Sequence, residues 1–212
     1  KGMKYNAKGM KYNAKGTLRG HGIGAYATYE HLSDTMSGYY VDAWAQGNQF
    51  SGAVKGDTLA KENYNLSGMT ASVEYGYEMP LNKSARAPWV TYQAQLMYQG
   101  VKNKSFLEST GNTHGGAADT SLLLRLGTRL NLAGKTNSPY AELNWYHRFN
   151  DSGMTFNGTS YQSSVPQNIG ELKIGYEHQF KKNLNIWGDM SYAKGSNNFK
   201  SYGFKIGGTF AF

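Results

Sequence analysis

The sequence predicts an all-β chain folded as an antiparallel, up-and-down transmembrane β-barrel, and three observations carry that expectation. From His21 to Phe212, apolar and polar residues alternate with a period of two, in segments of about ten residues or more. The apolar phase carries aromatic residues near the segment ends, as at Tyr92 and Tyr98, Tyr176 and Phe180, and Tyr202 and Phe212. Composition agrees: 17 Tyr and 27 Gly stand among 212 residues, of which only 17% are charged, and aromatic and Gly enrichment together favour strands and turns. A transmembrane helix is excluded, because it needs about 20 predominantly apolar residues in a row and no apolar run here exceeds three.

The N-terminus stands apart. Residues 1–14 read KGMKYNA twice over, and two seven-residue copies fall far short of a repeat architecture, whose units run to about 20 residues or more. Residues 1–20 are therefore read as a basic, duplicated N-terminal segment, an artefact of truncation or the remnant of an earlier strand and its loop, and residues 21–212 as the barrel domain. Lys1, Lys4, Lys8, Lys11, Lys15 and Arg19 supply six of the 22 basic residues and none of the 14 acidic ones lies among them, so the net charge of +8 is mostly terminal. Nucleic-acid binders spread such charge over a folded face, so no nucleic-acid partner is expected. The chain opens at Lys1 without an initiator Met or an apolar signal core, as expected of a processed or truncated product.

Nine strands follow in order. Residues 22–30 place Ile23, Ala25, Ala27 and Tyr29 on one face. Residues 38–50 set Tyr39, Val41, Ala43 and Ala45 against Asp42, Gln46 and Asn48, and residues 66–79 set Met69, Ala71, Val73, Tyr75 and Tyr77 against Thr70, Ser72, Glu74, Gly76 and Glu78. Residues 88–101 oppose Val90, Tyr92, Ala94, Leu96 and Tyr98 to Thr91, Gln93, Gln95 and Gln99. Residues 120–132 oppose Leu122, Leu124, Leu126, Leu130 and Leu132 to Arg125, Gly127, Arg129 and Asn131. Residues 139–149 oppose Ala141, Leu143, Trp145 and Phe149 to Glu142, Asn144, Tyr146 and Arg148, and residues 169–180 oppose Leu172, Ile174, Tyr176 and Phe180 to Glu171, Lys173 and Glu177. Residues 184–194 separate Leu184, Ile186, Met190 and Tyr192 from Asp189 and Ser191. Residues 201–212 separate Phe204, Ile206, Phe210 and Phe212 from Lys205, Gly207 and Thr209.

A soluble sandwich alternates too, but its strands average about 5 to 6 residues, and its apolar face needs a second sheet. Length, aromatic ends and the Arg, Lys, Glu and Gln of the polar phase favour a membrane barrel with a wet interior. On that reading Leu126, Leu143, Trp145, Leu172, Ile174, Phe204 and Ile206 face lipid. Asp42, Glu74, Gln95, Arg125, Arg129, Glu142, Arg148, Glu171, Lys173, Glu177 and Asp189 face the lumen. The connections, at residues 51–63, 80–87, 102–119, 133–138, 150–168, 181–183 and 194–200, run long and short by turns. Barrels of the outer membrane pair long external loops with short periplasmic turns, which puts the Phe212 end on the periplasmic side.

The stretches GIGAYATY, GYYVDAWAQGNQF, YNLSGMTASVEYGYEM, VTYQAQLMYQG, LLRLGTRLNL, YAELNWYHRF, NIGELKIGYEHQF, LNIWGDMSYAKG and the terminal GFKIGGTFAF together resemble the C-terminal translocator domain of autotransporters, the type V secretion family, in its pertactin and AIDA-like branch. The resemblance covers residues from about His21 to Phe212. It implies a bacterial outer-membrane location, a 12-stranded barrel of which about nine strands are present here, open or incomplete, and export or anchoring of an N-terminal passenger that this chain lacks. The terminus is similar to the assembly signal of outer-membrane proteins, with Lys205, Gly207, Phe210 and Phe212 at its polar, glycine, hydrophobic and aromatic places. The resemblance implies as partners the outer-membrane lipid, the barrel-assembly machinery through the C-terminal strand, periplasmic chaperones and the chain's own passenger. A partial barrel of this kind is expected to be a substrate of that machinery.

Signals for other chemistry are weak. His21, His31, His114, His147 and His178 are scattered without a metal-ligand spacing, Cys is absent, and no G-x-S-x-G presents a nucleophile. GKT at residues 134–136 lacks the upstream Gly of a phosphate loop. Some members of the resembled family cut their own linker, and a lumen acid would serve such a step. Cross-strand charge pairing explains the same acids more simply. No enzyme and no cofactor are expected; the competing readings are a porin-like channel and an omptin-like surface protease.

Overall fold

The computed structural model describes residues 3–9, 12–33, 37–56, 61–83, 87–103, 106–107, 113–114, 118–132, 136–150, 153–156, 159–162, 165–181 and 183–211. Alternating side chains select the extended backbone throughout. The strands are β1 (Met3–Gly9), β2 (Tyr12–Leu32), β3 (Gly38–Gly56), β4 (Glu62–Pro80), β5 (Trp89–Asn103), β6 (Phe106–Leu107), β7 (Thr113–His114), β8 (Ala118–Asn131), β9 (Asn137–Arg148), β10 (Gly153–Phe156), β11 (Thr159–Gln162), β12 (Asn168–Lys181), β13 (Leu184–Gly195) and β14 (Lys200–Phe210).

Ten of these form one antiparallel sheet in the order β1-β2-β3-β4-β5-β8-β9-β12-β13-β14, a meander with β1 and β14 at its edges. Each of the nine expected strands is present, and β1 is additional. It forms a hairpin with the start of β2, from Gly9 opposite Tyr12 to Met3 opposite Leu18. β2 then runs through residues 20 and 21 without a break, its register with β3 holding from Ala14 opposite Gly56 to Leu32 opposite Gly38. The expected boundary between residues 20 and 21 therefore does not interrupt the sheet.

The connections differ from the expected rhythm at one place. β3 continues to Gly56 and β4 begins at Glu62, so residues 57–61 make a shorter connection than residues 81–88. Residues 51–56 and 62–65 lose apolar alternation because Ser51, Asn63 and Asn65 replace greasy residues, yet backbone pairing needs no particular side chain and carries on. From β5 onward the alternation of long and short holds. The two longest connections contain β6, β7, β10 and β11, which join as a second sheet ordered β11-β10-β7-β6, with Phe156 opposite His114. At the tight turn after β13, Asn197 and Asn198 take φ of 57° and 61°, the left-handed pair a two-residue hairpin requires and Asn tolerates.

The distribution of burial is the reverse of a soluble core. Among the described residues the buried hydrophobic positions are Ala87 and Tyr140, whereas Ser72, Thr91, Asn131, Glu142, Asn144 and Asp189 are buried polar ones. Leu143 and Ile174 are 62% and 56% exposed, and Leu126, Trp145, Leu172, Phe204 and Ile206 are exposed with them. A water-soluble monomer rarely shows so much contiguous apolar surface. Within a bilayer the same surface is buried in hydrocarbon, and pairing between strands satisfies the backbone everywhere except along the β1 and β14 edges.

Aromatic side chains on the polar face lie over glycines of the neighbouring strand. A Cβ at Gly76 would run into the Tyr40 ring, one at Gly175 into Tyr140, and one at Gly207 into Trp187. Each bare backbone site thus seats a ring that covers the sheet, and close approach is what requires glycine there.

Candidate functional site

Register fixes which side chains share the polar face, because directly opposite residues in an antiparallel pair point the same way. Asp42 lies opposite Glu74, Glu74 opposite Gln95, and Gln95 opposite Arg125. Arg129 lies opposite Glu142, Glu142 opposite Lys173, and Gly175 opposite Asp189. Asp189 in turn faces Lys205. The alternation within each strand adds Arg148, Glu171 and Glu177, so all eleven polar positions singled out from the sequence occupy one face. Leu126, Leu143, Trp145, Leu172, Ile174, Phe204 and Ile206 occupy the other.

A single hydrogen-bonded network crosses the centre of the polar face. Glu74 accepts from Tyr40 Oη at 2.7 Å, Gln93 Nε2 at 3.1 Å and Arg125 Nη2 at 2.8 Å. Arg125 also reaches Glu142 and Asn144, both at 3.4 Å. Glu142 takes further bonds from Asn144 Nδ2 at 2.7 Å and Lys173 Nζ at 3.1 Å, and Lys173 lies 3.6 Å from Glu171, which accepts from Tyr146 Oη at 3.0 Å. Two cations thus serve three carboxylates across β4, β8, β9 and β12. Their side chains are only 6% to 15% exposed, so each charge has lost most of its water and depends on these partners.

Towards the β14 edge, Arg129 lies over the Tyr140 ring, 3.7 Å from its centroid, and donates to Asn131 at 2.8 Å. Tyr140 Oη donates to Asp189 Oδ2 at 3.4 Å. Gln95 donates to Ser72 at 2.9 Å, Arg148 to Ser121 and Asn185 to Glu177. Of the eleven positions six are acidic and four basic, so the face is polar with an excess of acid, and Asp42, Gln93, Asn185 and Asp189 each carry a buried oxygen without a hydrogen-bond partner among the described residues.

Of the terminal signal, Lys205 and Gly207 lie on the polar face of β14 and Phe210 on the apolar face beside Phe204 and Ile206; Phe212 lies outside the described residues. Ala211 N donates to Asn183 O at 2.9 Å, which fastens the end of this edge strand. Sequence reasoning did not single out Tyr40, Tyr140 and Trp187. The signal was an aromatic residue in the polar phase of its strand facing a glycine on the next, and reading it requires the register between strands.

A family model described as Autotransporter beta-domain matches residues 3–191. The Uncharacterized protein YuaQ of Escherichia coli (strain K12) is 36% identical over 92% of this chain, and the Autotransporter adhesin AIDA-I of Escherichia coli is 28% identical over 92%. This chain spans 15% and 16% of the length of those two relatives. The crystal structure of the transport unit of the autotransporter AIDA-I from Escherichia coli superposes with a TM-score of 0.80 at 26% identity, over all of this chain and 80% of that one.

Proposed function

The chain belongs to the autotransporter β-domain family, a family of outer-membrane β-barrels of Gram-negative bacteria, and from that premise we propose how its two faces divide the work of secretion. The apolar face meets lipid. The polar face lines a lumen through which the N-terminal passenger is exported or in which its linker stays anchored. The carrying observation is the reversed burial: charged Glu142 is 5% exposed while Leu143 beside it is 62% exposed. Glu74, Glu142 and Glu171 are each paired with Arg125 or Lys173, so a passing polypeptide meets polar contact on this face without a row of unpaired charges. The domain acts as a translocator rather than an enzyme.

In the same reading the Phe210 end of β14 is periplasmic, and the connections at 104–117 and 149–167, with their small sheet, are external. The sheet leaves edges at β1 and β14. Unpaired backbone is costly in lipid, so a partial barrel is a substrate of the barrel-assembly machinery, delivered by periplasmic chaperones and engaged through β14 by strand addition. A photo-crosslinking residue at Gln95 in the full-length protein should capture its own passenger or linker during secretion, whereas one at Leu126 should not. Equal capture at both positions, or capture at Leu126 alone, would overturn the assignment of faces.

A further inference from the structure

Above the apolar belt, at the end of the sheet near residues 57–61, the outward face changes character. Register aligns His21, Gln49, Ser67 and Lys102 in one row across β2, β3, β4 and β5, and Arg19, Ser51 and Asn65 in the next. These seven side chains are on the face that carries Ile23, Met69 and Tyr98 one or two places further along their strands. Together with Gly20, Phe50 and Leu66 they line a depression of about 630 Å³. Ser51 Oγ donates to Asn65 Oδ1 at 2.9 Å, which leaves the Asn65 amide nitrogen free to donate outward.

The charge on this surface has one sign. Lys15 opposite Lys55 lies beyond Arg19 on the same face, and among the described residues of β2 to β5 no Asp or Glu occupies that face on this side of the belt. At the other end of the same strands the outward face holds Tyr29, Tyr39, Tyr75, Tyr77 and Tyr92 instead. Three inter-strand steps separate His21 from Lys102, about 14 Å, so Lys102 at one end and Arg19, beside His21 in the next row, at the other flank a set of neutral hydrogen-bonding side chains.

We propose that this depression is a binding site for the phosphorylated head group of an outer-leaflet glycolipid, with Arg19 and Lys102 holding phosphate and Gln49, Asn65 and Ser67 meeting phosphate or sugar oxygens. Two features select a lipid over other anions. The site is continuous with the lipid-facing belt, so acyl chains can lie against Ile23, Met69 and Tyr98 while the head group occupies the depression. Its charge complements the phosphates of the lipid A head group, and its height is that of the interface. The inference rests on the orientation proposed above, which puts residues 57–61 outside.

The test is binding of diphosphorylated lipid A to the full chain in detergent micelles. The double substitution Arg19→Gln with Lys102→Gln should weaken binding about 25-fold, from about fivefold per interfacial cation. Lys83→Gln, at the opposite end of the strands, should leave it unchanged. Asn65→Ala with Ser67→Ala, which keeps every charge, should weaken it severalfold and serves if the charge variant fails to fold. Inorganic phosphate at matched concentration should not compete. Unchanged binding in both double variants, an equal loss in Lys83→Gln, or full competition by inorganic phosphate would overturn the site. An inverted orientation has its own signature: in cells, an impermeant thiol reagent would label Asn137→Cys and not Thr113→Cys. That result would remove the outer-leaflet assignment while micelle binding stood.

Discussion

Arg125 and Leu126 are neighbours in sequence and opposites in environment. Arg125 bridges Glu74 and Glu142 on the buried polar face, and Leu126 is exposed on the other. Leu126→Arg should therefore cost about 2 to 4 kcal/mol of folding stability in a bilayer, the usual penalty for a cation at mid-depth. Arg125→Met should cost about 3 kcal/mol, because two desolvated carboxylates lose a cation. Reversible urea unfolding in lipid vesicles measures both. Adding Glu74→Gln to Arg125→Met should recover part of the loss, with a coupling of about 0.5 to 3 kcal/mol. The face of each of these residues was legible in the sequence, since a period of two needs no partner strand. That Arg125 on β8 reaches across β5 to Glu74 on β4 was not legible, because the register joining distant segments is set by pairing and not by either segment alone.

At the scale of the elements, rings over glycines knit one strand to the next. Gly175→Ala would drive a methyl into the Tyr140 ring, and overpacking of this kind costs about 1 to 3 kcal/mol. The same substitution in a Tyr140→Ala background should cost less, and the cycle measured by vesicle unfolding reports the difference. The existence of the nine long strands from β2 to β14 was readable in the sequence, whereas β1, the four short strands of the second sheet and the strand ends were not. β3 and β4 each have 19 residues, about 63 Å at roughly 3.3 Å per residue, twice a hydrocarbon core of about 30 Å. Their outer stretches stand beyond the apolar belt, where the outward face turns polar and the alternation that marks a strand fades. The same reason hid the depression lined by Arg19 and Lys102, whose residues read one by one as loop polarity.

At the scale of the whole sheet, ten strands form one meander with β1 and β14 at its edges in this chain. β14 is paired to β13 on one side only, and Gly207 of β14 lies beneath Trp187. Gly207→Asp would place a charge under that ring, so it should lower crosslinking of β14 to the barrel-assembly machinery and reduce the folded, heat-modifiable fraction in cells. Unchanged crosslinking and normal insertion would show that assembly does not read this strand. The central claim, a barrel wall with polar contents and lipid outside, is tested most directly by a cysteine scan, for which the natural absence of Cys is an advantage. Single substitutions at each position from Leu122 to Asn131 would be exposed, in the assembled outer membrane, to a water-soluble thiol reagent small enough to enter the lumen. Labelling should alternate, strong at Leu123, Arg125, Gly127 and Arg129 and weak at Leu122, Leu124, Leu126 and Leu130. Uniform labelling, or the opposite phase, would contradict the account.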